Sequence, residues 1–130
     1  MDEEEQERQK EKARFWLNYS HELSGAIRYH EALSAIERAL VLDPQSVEIW
    51  YAKGTYLAMI ARHEEALAAF EYALQLAPQF VPAWDGRAWA LSILGRHAEA
   101  LSAVNRALEL NPDYFDAQKR KKRLEIMEEH

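Results

Sequence analysis

The sequence predicts an all-α solenoid, a stack of antiparallel helix hairpins with about seven helices in total. Three observations predict it. First, Ala32, Leu33, Ile36, Ala39, Leu40, Leu42 and Pro44 recur as Ala66, Leu67, Phe70, Ala73, Leu74, Leu76 and Pro78, and again as Ala100, Leu101, Val104, Ala107, Leu108, Leu110 and Pro112. Each set is displaced by 34 residues without insertion or deletion, as are Trp16, Trp50 and Trp84, and Leu23, Leu57 and Leu91. A fixed period in this range marks a repeat array. Second, each repeat contains two stretches of helical periodicity. Third, the period runs on past Pro112 with altered chemistry.

The repeats fill 13–46, 47–80 and 81–114, and a capping helix follows over 115–130. A hairpin of about 30 residues cannot bury its own apolar stripe, so stability must come from the interfaces between hairpins. Positions are counted below as slots from the first residue of each repeat.

Residues 1–12 hold six acidic and three basic residues with neither glycine nor proline. They form a charged tail or an extension of the first helix, and the far end is expected to be disordered. They carry no apolar stretch and do not read as a signal peptide.

In the second repeat, Ile49, Trp50, Lys53, Gly54, Leu57 and Ile60 make the inward stripe of the first helix. Ala66, Leu67, Phe70, Ala73, Leu74 and Leu76 make that of the second. The alanines mark close helix crossings, faced by large residues so that the core fills at normal density. The hairpin turns read Ile27-Arg28-Tyr29, Ala61-Arg62-His63 and Gly95-Arg96-His97. Glycine supplies the left-handed residue that ends a helix. Isoleucine resists positive φ, so the first turn is expected to close differently, aided by Gly25. Pro44, Pro78 and Pro112 end the second helices by restricting the residue before them. Ser46 is the expected N-cap of the next helix, and Pro82 falls in a first turn, where a missing N–H costs little.

In the last helix the slots of Trp84, Arg87 and Leu91 become Gln118, Lys121 and Glu125, while Leu124 and Met127 stay apolar. One sticky side and one solvated side suit a cap over the open end of the stack.

These motifs resemble the tetratricopeptide repeat, whose first helix carries Trp, Leu-Gly and Tyr and whose second carries Ala, Phe, Ala and Pro. The second repeat matches at Trp50, Gly54, Ala66, Phe70, Ala73 and Pro78, with Lys53 and Leu57 departing from the pattern. The third matches at Trp84, Ala88, Leu91, Ala100, Val104, Ala107 and Pro112. The first is the most diverged, with Ser20 in the small slot. The resemblance implies a right-handed α-solenoid whose first helices line a concave groove for peptides or helices of partner proteins.

It also implies which slots face that groove: the second, fifth, ninth, twelfth and thirteenth of each first helix. Arg14, Leu17 and His21 come from the first repeat, with Ser24 and Gly25. Tyr51, Thr55 and Met59 come from the second, with Glu48 and Ala58. Asp85, Trp89, Ser92 and Ile93 come from the third, with Pro82, and the cap helix adds Lys119, Arg123 and Asp116 at the lip. Leu17, Tyr51, Met59, Trp89 and Ile93 would make an apolar floor, and such patches mark interaction sites. Arg14, Asp85, Lys119 and Arg123 would orient a partner.

Family members that hold the acidic tails of heat-shock chaperones use a clamp of Lys, Asn and Arg side chains. The corresponding positions here are Leu17, His21, Ala52, Pro82 and Gly86, which offer no pair of cations for a carboxylate. Binding by that clamp is not expected.

Other constellations carry no chemistry. His63 and His97 lack a carboxylate at ligand spacing and read as polar turn residues capping helix ends. Ser20, His21 and Glu22 are adjacent on one helix and cannot converge as a triad. The four glycines are dispersed and form no phosphate loop. With no cysteine, there is no thiol catalysis and no cysteine metal site. No enzyme, metal or cofactor is expected. The formal charge of −6 argues against a nucleic-acid partner. Lys119 to Arg123 are five consecutive basic residues, read as the solvated side of the cap. No apolar run reaches the about 20 residues of a membrane span, and the chain reads as cytoplasmic. The expected function is therefore a protein-interaction adaptor or scaffold. The alternative is a self-associating module, a homo-oligomer or a piece of a longer solenoid, natural or engineered.

Overall fold

The structure, a computed structural model, describes residues 1–129. Seven helices occur among them: α1 (Glu3–Gly25), α2 (Tyr29–Leu42), α3 (Val47–Met59), α4 (His63–Leu76), α5 (Val81–Ile93), α6 (His97–Leu110) and α7 (Phe115–Glu129). They form an all-α solenoid. Each odd helix packs on the even helix that follows it, and each even helix packs on the next odd one. The odd helices α3, α5 and α7 also touch directly, so they form one continuous inner layer.

Local chemistry sets the boundaries. The Ser46 hydroxyl accepts from the Ile49 N–H at 3.4 Å, and Pro82 lies in the first turn of α5, both as the sequence leads one to expect. Asp43, Ala77 and Asn111, each before a proline, are extended, with φ near −145°. Two expectations fail. The charged N-terminal segment is helical from Glu3 rather than disordered at its far end. Asp2 accepts from the Glu5 N–H at 2.8 Å, and Glu3, Glu4 and Glu5 complement the helix dipole. The first turn also closes like the others. Ile27 has φ 60°, beside 64° at Ala61 and 81° at Gly95. In all three a six-residue bond, Arg28 to Leu23, Arg62 to Leu57 and Arg96 to Leu91, spans 2.9 Å. This Schellman pairing outweighs the side chain's resistance.

The tryptophans act as staples. Trp50 Nε1 donates to the Pro44 carbonyl and Trp84 Nε1 to the Pro78 carbonyl, both at 2.8 Å. In α7, Gln118 stands in the same slot, and its Nε2 donates to the Pro112 carbonyl at 2.7 Å. The cap thus keeps the polar half of the tryptophan's role.

Phe70 sits at the centre of the stack, fully buried. A Cβ built on either Gly54 or Gly86 would lie 2.6 Å from its ring. The ring is therefore held between the bare backbones of α3 and α5, one from its own repeat and one from the next. Ile36 and Val104 occupy the same slot in the neighbouring repeats and are also fully buried.

A concave groove as candidate functional site

The odd helices carry the residues expected to face a groove, and the structure treats them differently. A cleft of about 320 Å³ opens between α1 and α3, lined by His21, Ser24, Glu48, Tyr51, Ala52, Thr55, Tyr56 and Phe80. Tyr51 stands at its centre because its ring is wedged between two others, 5.8 Å from Phe70 and 5.6 Å from Phe80. Burial pushes the Tyr51 phenol above its ordinary pKa, so it stays neutral. Thr55 turns its hydroxyl back to the Tyr51 carbonyl at 3.1 Å. A second hollow of about 240 Å³ lies between the first half of α1 and the start of α3, bordered by Glu7, Lys10, Glu11, Arg14, Asp43 and Glu48.

Buried polar bonds tie α1 to α3 beneath the cleft. Ser20 Oγ donates to the Leu17 carbonyl at 2.6 Å and contacts the Tyr56 hydroxyl at 3.1 Å. Tyr56 in turn meets His21 Nδ1 at 2.9 Å.

Two family descriptions of the tetratricopeptide repeat match this chain, one over residues 21–80 and one over residues 81–114. The chain belongs to the tetratricopeptide-repeat family. Members of that family are protein–protein interaction modules. Among solved structures it is similar to the first tetratricopeptide domain of Spaghetti (RPAP3), bound to the HSP90 peptide SRMEEVD, with a TM-score of 0.89 at 19% identity over 93% of this chain and 96% of that one. It is similar to the Arabidopsis OM64 domain, with a TM-score of 0.86 at 19% identity over 89% and 96%. It is also similar to the second domain of human RPAP3 in complex with the HSP70 peptide SGPTIEEVD, with a TM-score of 0.82 at 18% identity over 92% and 98%. At this identity the likeness speaks for the fold alone. No curated protein sequence matches.

Within the tetratricopeptide groove the expected residues divide. His21, Tyr51 and Thr55 line the cleft together. Arg14, Met59, Ile93, Lys119 and Arg123 are exposed, and Trp89 and Ser92 are half-buried, but none of these borders the cleft. Two expectations need correction. Leu17 is 5% exposed and belongs to the buried cluster of Ala13, Ile49 and Ala52, so it is core rather than open floor. Asp85 is 6% exposed and is not free to orient a partner, because Arg120 already pairs with it. Ser92 bonds its own helix through the Trp89 carbonyl at 2.8 Å.

Arg120, Tyr56 and Phe80 were missed. Arg120 was concealed within the five-residue basic run, in the slot that holds glycine in the preceding repeat. Tyr56 occupies the slot of Glu22 and Ala90, which gives no hint of a polar network. Phe80 is the N-cap residue of α5, where propensity alone would not look for a lining residue. Of the basic run, Lys119 lies over the Phe115 ring at 4.9 Å and Lys121 approaches Glu125 at 4.0 Å. His63 and His97 begin α4 and α6 and do not act as caps. The Nδ1 atom of each is buried without a partner among the described residues. No cluster of three metal-ligating side chains occurs among the described residues, and no helix there is long and apolar enough to cross a membrane.

Proposed function

We propose that this tetratricopeptide domain is an adaptor that binds a peptide or amphipathic helix in its concave groove. The supporting observation is the 320 Å³ cleft, with aromatic walls at Tyr51 and Phe80 and polar groups at His21, Thr55 and Glu48. An apolar cleft with few convergent polar groups suits one anchoring side chain of an extended or helical ligand. Met59 and Ile93 are exposed apolar residues on α3 and α5, and on α7 Lys119 and Arg123 would meet acidic residues of the partner.

The neighbours' heat-shock peptides are not transferred to this chain. In the clamp positions, Leu17 and Ala52 are buried, and Gly86 is backed by the Phe70 ring, so a long cation there would have to displace the core. Recognition by a different set of contacts follows.

The test is a peptide-display selection, free C-termini included, on the wild type and on Tyr51→Ala/Trp89→Ala, with folding checked by circular dichroism. Thr55→Phe, which fills the cleft without emptying the core, serves as a second variant. Peptides enriched by the wild type and lost by both variants support the groove. Peptides that survive both would move recognition elsewhere.

Self-association has its own supporting observation. In the third slot Ile49, Ala83 and Ala117 are buried, yet Phe15 is 62% exposed, with no hairpin packed on it among the described residues. At the other end Phe115 and Ile126 of α7 are exposed. Head-to-tail stacking of copies would cover both. Sedimentation across a concentration series tests it: mass that rises with concentration and falls to monomer in Phe15→Asp supports stacking, and a constant monomer removes it.

A further inference from the structure

The hydrogen bonds beside the cleft favour one placement of the hydrogen on the His21 ring. Ser20 has one hydroxyl hydrogen, and it is directed to the Leu17 carbonyl at 2.6 Å. The 3.1 Å contact between Ser20 Oγ and Tyr56 must then use the phenol's hydrogen. With that hydrogen given to Ser20, the Tyr56 oxygen can only accept at 2.9 Å from His21, so Nδ1 is the protonated nitrogen. The opposite assignment leaves three contacts sharing two hydrogens. Two oxygens would then face each other across 3.1 Å inside the protein, where Ser20 is fully buried and Tyr56 2% exposed. In the neutral ring Nε2 is thus a bare acceptor, and it has no partner among the described residues.

Of the other polar groups of the cleft, Thr55 and Glu48 point to the same chemistry, and the hydroxyls of Ser24 and Tyr51 can accept as well as donate. Thr55 directs its hydrogen to the Tyr51 carbonyl, so its free valences are acceptor lone pairs. Glu48 is exposed, accepts only, and is the single charged residue in the lining. No Lys or Arg borders the cleft. The rings of Tyr51 and Phe80 meet edge to face, 5.6 Å between centres, and together form one aromatic side of the cleft.

We infer that the cleft is a subsite for an arginine side chain of the partner peptide. A guanidinium is planar, donates through five N–H groups and accepts nothing, so it matches three acceptors beside an aromatic wall. Its charge is opposite to the one Glu48 brings. The ligand class is therefore inverted relative to a carboxylate tail. This inference rests on the groove-binding reading and adds to it the identity of the anchoring side chain.

The test is a nuclear magnetic resonance titration in mildly alkaline buffer, where imidazole is neutral. The probes are N-acetyl-arginine amide, N-acetyl-norleucine amide and N-acetyl-glutamate amide. Saturable shifts of His21, Tyr51 and Thr55 with the arginine derivative are expected, and none with the glutamate derivative. Glu48→Gln should weaken the arginine response about fivefold, the upper range for an exposed ion pair. The ring nitrogen spectrum should place the hydrogen on Nδ1, and Tyr56→Phe should release it to Nε2 and lower the arginine response while the fold persists. Three results would each overturn the inference: no saturable response to arginine, equal or stronger binding of the norleucine or glutamate derivative, or a hydrogen on Nε2 in the wild type. If the inference fails while display still yields groove-dependent peptides, the groove reading stands without it. If arginine binds but display yields nothing, the reverse holds.

Discussion

Arg120 reaches back from α7 to grip Asp85 on α5, with Nε 2.7 Å from one carboxylate oxygen and a terminal nitrogen 3.2 Å from the other. The guanidinium also lies 5.9 Å from the centre of the Trp89 ring. The Asp85 side chain is 9% exposed and that of Arg120 19%, so water screens the pair poorly. Removing one partner leaves a buried charge. Arg120→Met is expected to cost about 3 kcal/mol in denaturant unfolding. Asp85→Leu/Arg120→Met should recover most of that loss, because it removes both charges from the interior. A double variant as unstable as the single one would contradict the account.

Phe70 leaves no room for a side chain at the two glycines facing it. Gly54→Ala and Gly86→Ala would each gain about 1 kcal/mol of helix propensity but incur overpacking of about 1–3 kcal/mol. A 2.6 Å approach to a ring closed in on both sides lets overpacking win. Both substitutions should lower the unfolding midpoint. In a Phe70→Val background, where the ring is gone, the same substitutions should be neutral or stabilising. The reversal of sign is the diagnostic result.

Ile27 and Ala61 hold positive φ without being glycine. A left-handed conformation costs such residues about 1–2 kcal/mol. Glycine relieves that strain but gives back part of the gain through the more flexible unfolded chain. Ile27→Gly and Ala61→Gly are each expected to stabilise by about 0.5–1 kcal/mol, and Gly95→Ala to destabilise by a similar amount. Thermal unfolding of the three single variants checks the signs.

Burial, with smaller contributions from the nearby acidic groups, raises the Tyr114 phenol to about 12. Its folded-state pKa then exceeds the unfolded one, so the folded chain keeps a proton that the unfolded chain releases. The resulting stability is fully present below about pH 10 and is lost as the pH rises toward about 12. Denaturant midpoints measured across that window should fall, and Tyr114→Phe should flatten the decline. An unchanged slope in the variant would assign the effect to other groups.

The hairpins and the cap were legible because a repeat states each signal three times. A tryptophan, an alanine crossing or a proline stop recurring every 34 residues cannot be chance. What escaped was whatever breaks the period. The equivalents of the Asp85–Arg120 pair one repeat earlier are Tyr51 and Gly86, which carry no charge, so repetition offered no hint of it. The same holds for the Ser20, Tyr56 and His21 contacts, whose equivalents one repeat later are Gly54, Ala90 and Thr55. The groove slots were assigned by analogy of position. Position does not say that Leu17 is covered by its neighbours, since that depends on the small side chain of Ala52 across the interface. The turn at Ile27 misled because local propensity was weighed without the six-residue backbone bond that opposes it.

The shared seat of Phe70 bears on the order in which the molecule opens. A solenoid can lose its hairpins one at a time from either end when each interface stands alone. Here one ring fills both the gap within the second hairpin and the gap to the third, so neither can part without exposing it. The stretch from α3 to α5 therefore behaves as a single cooperative block, while the charged start of α1 and the far end of α7 fray first. Amide hydrogen exchange should find its slowest sites around Gly54, Phe70 and Gly86, all three opening together at the free energy of global unfolding.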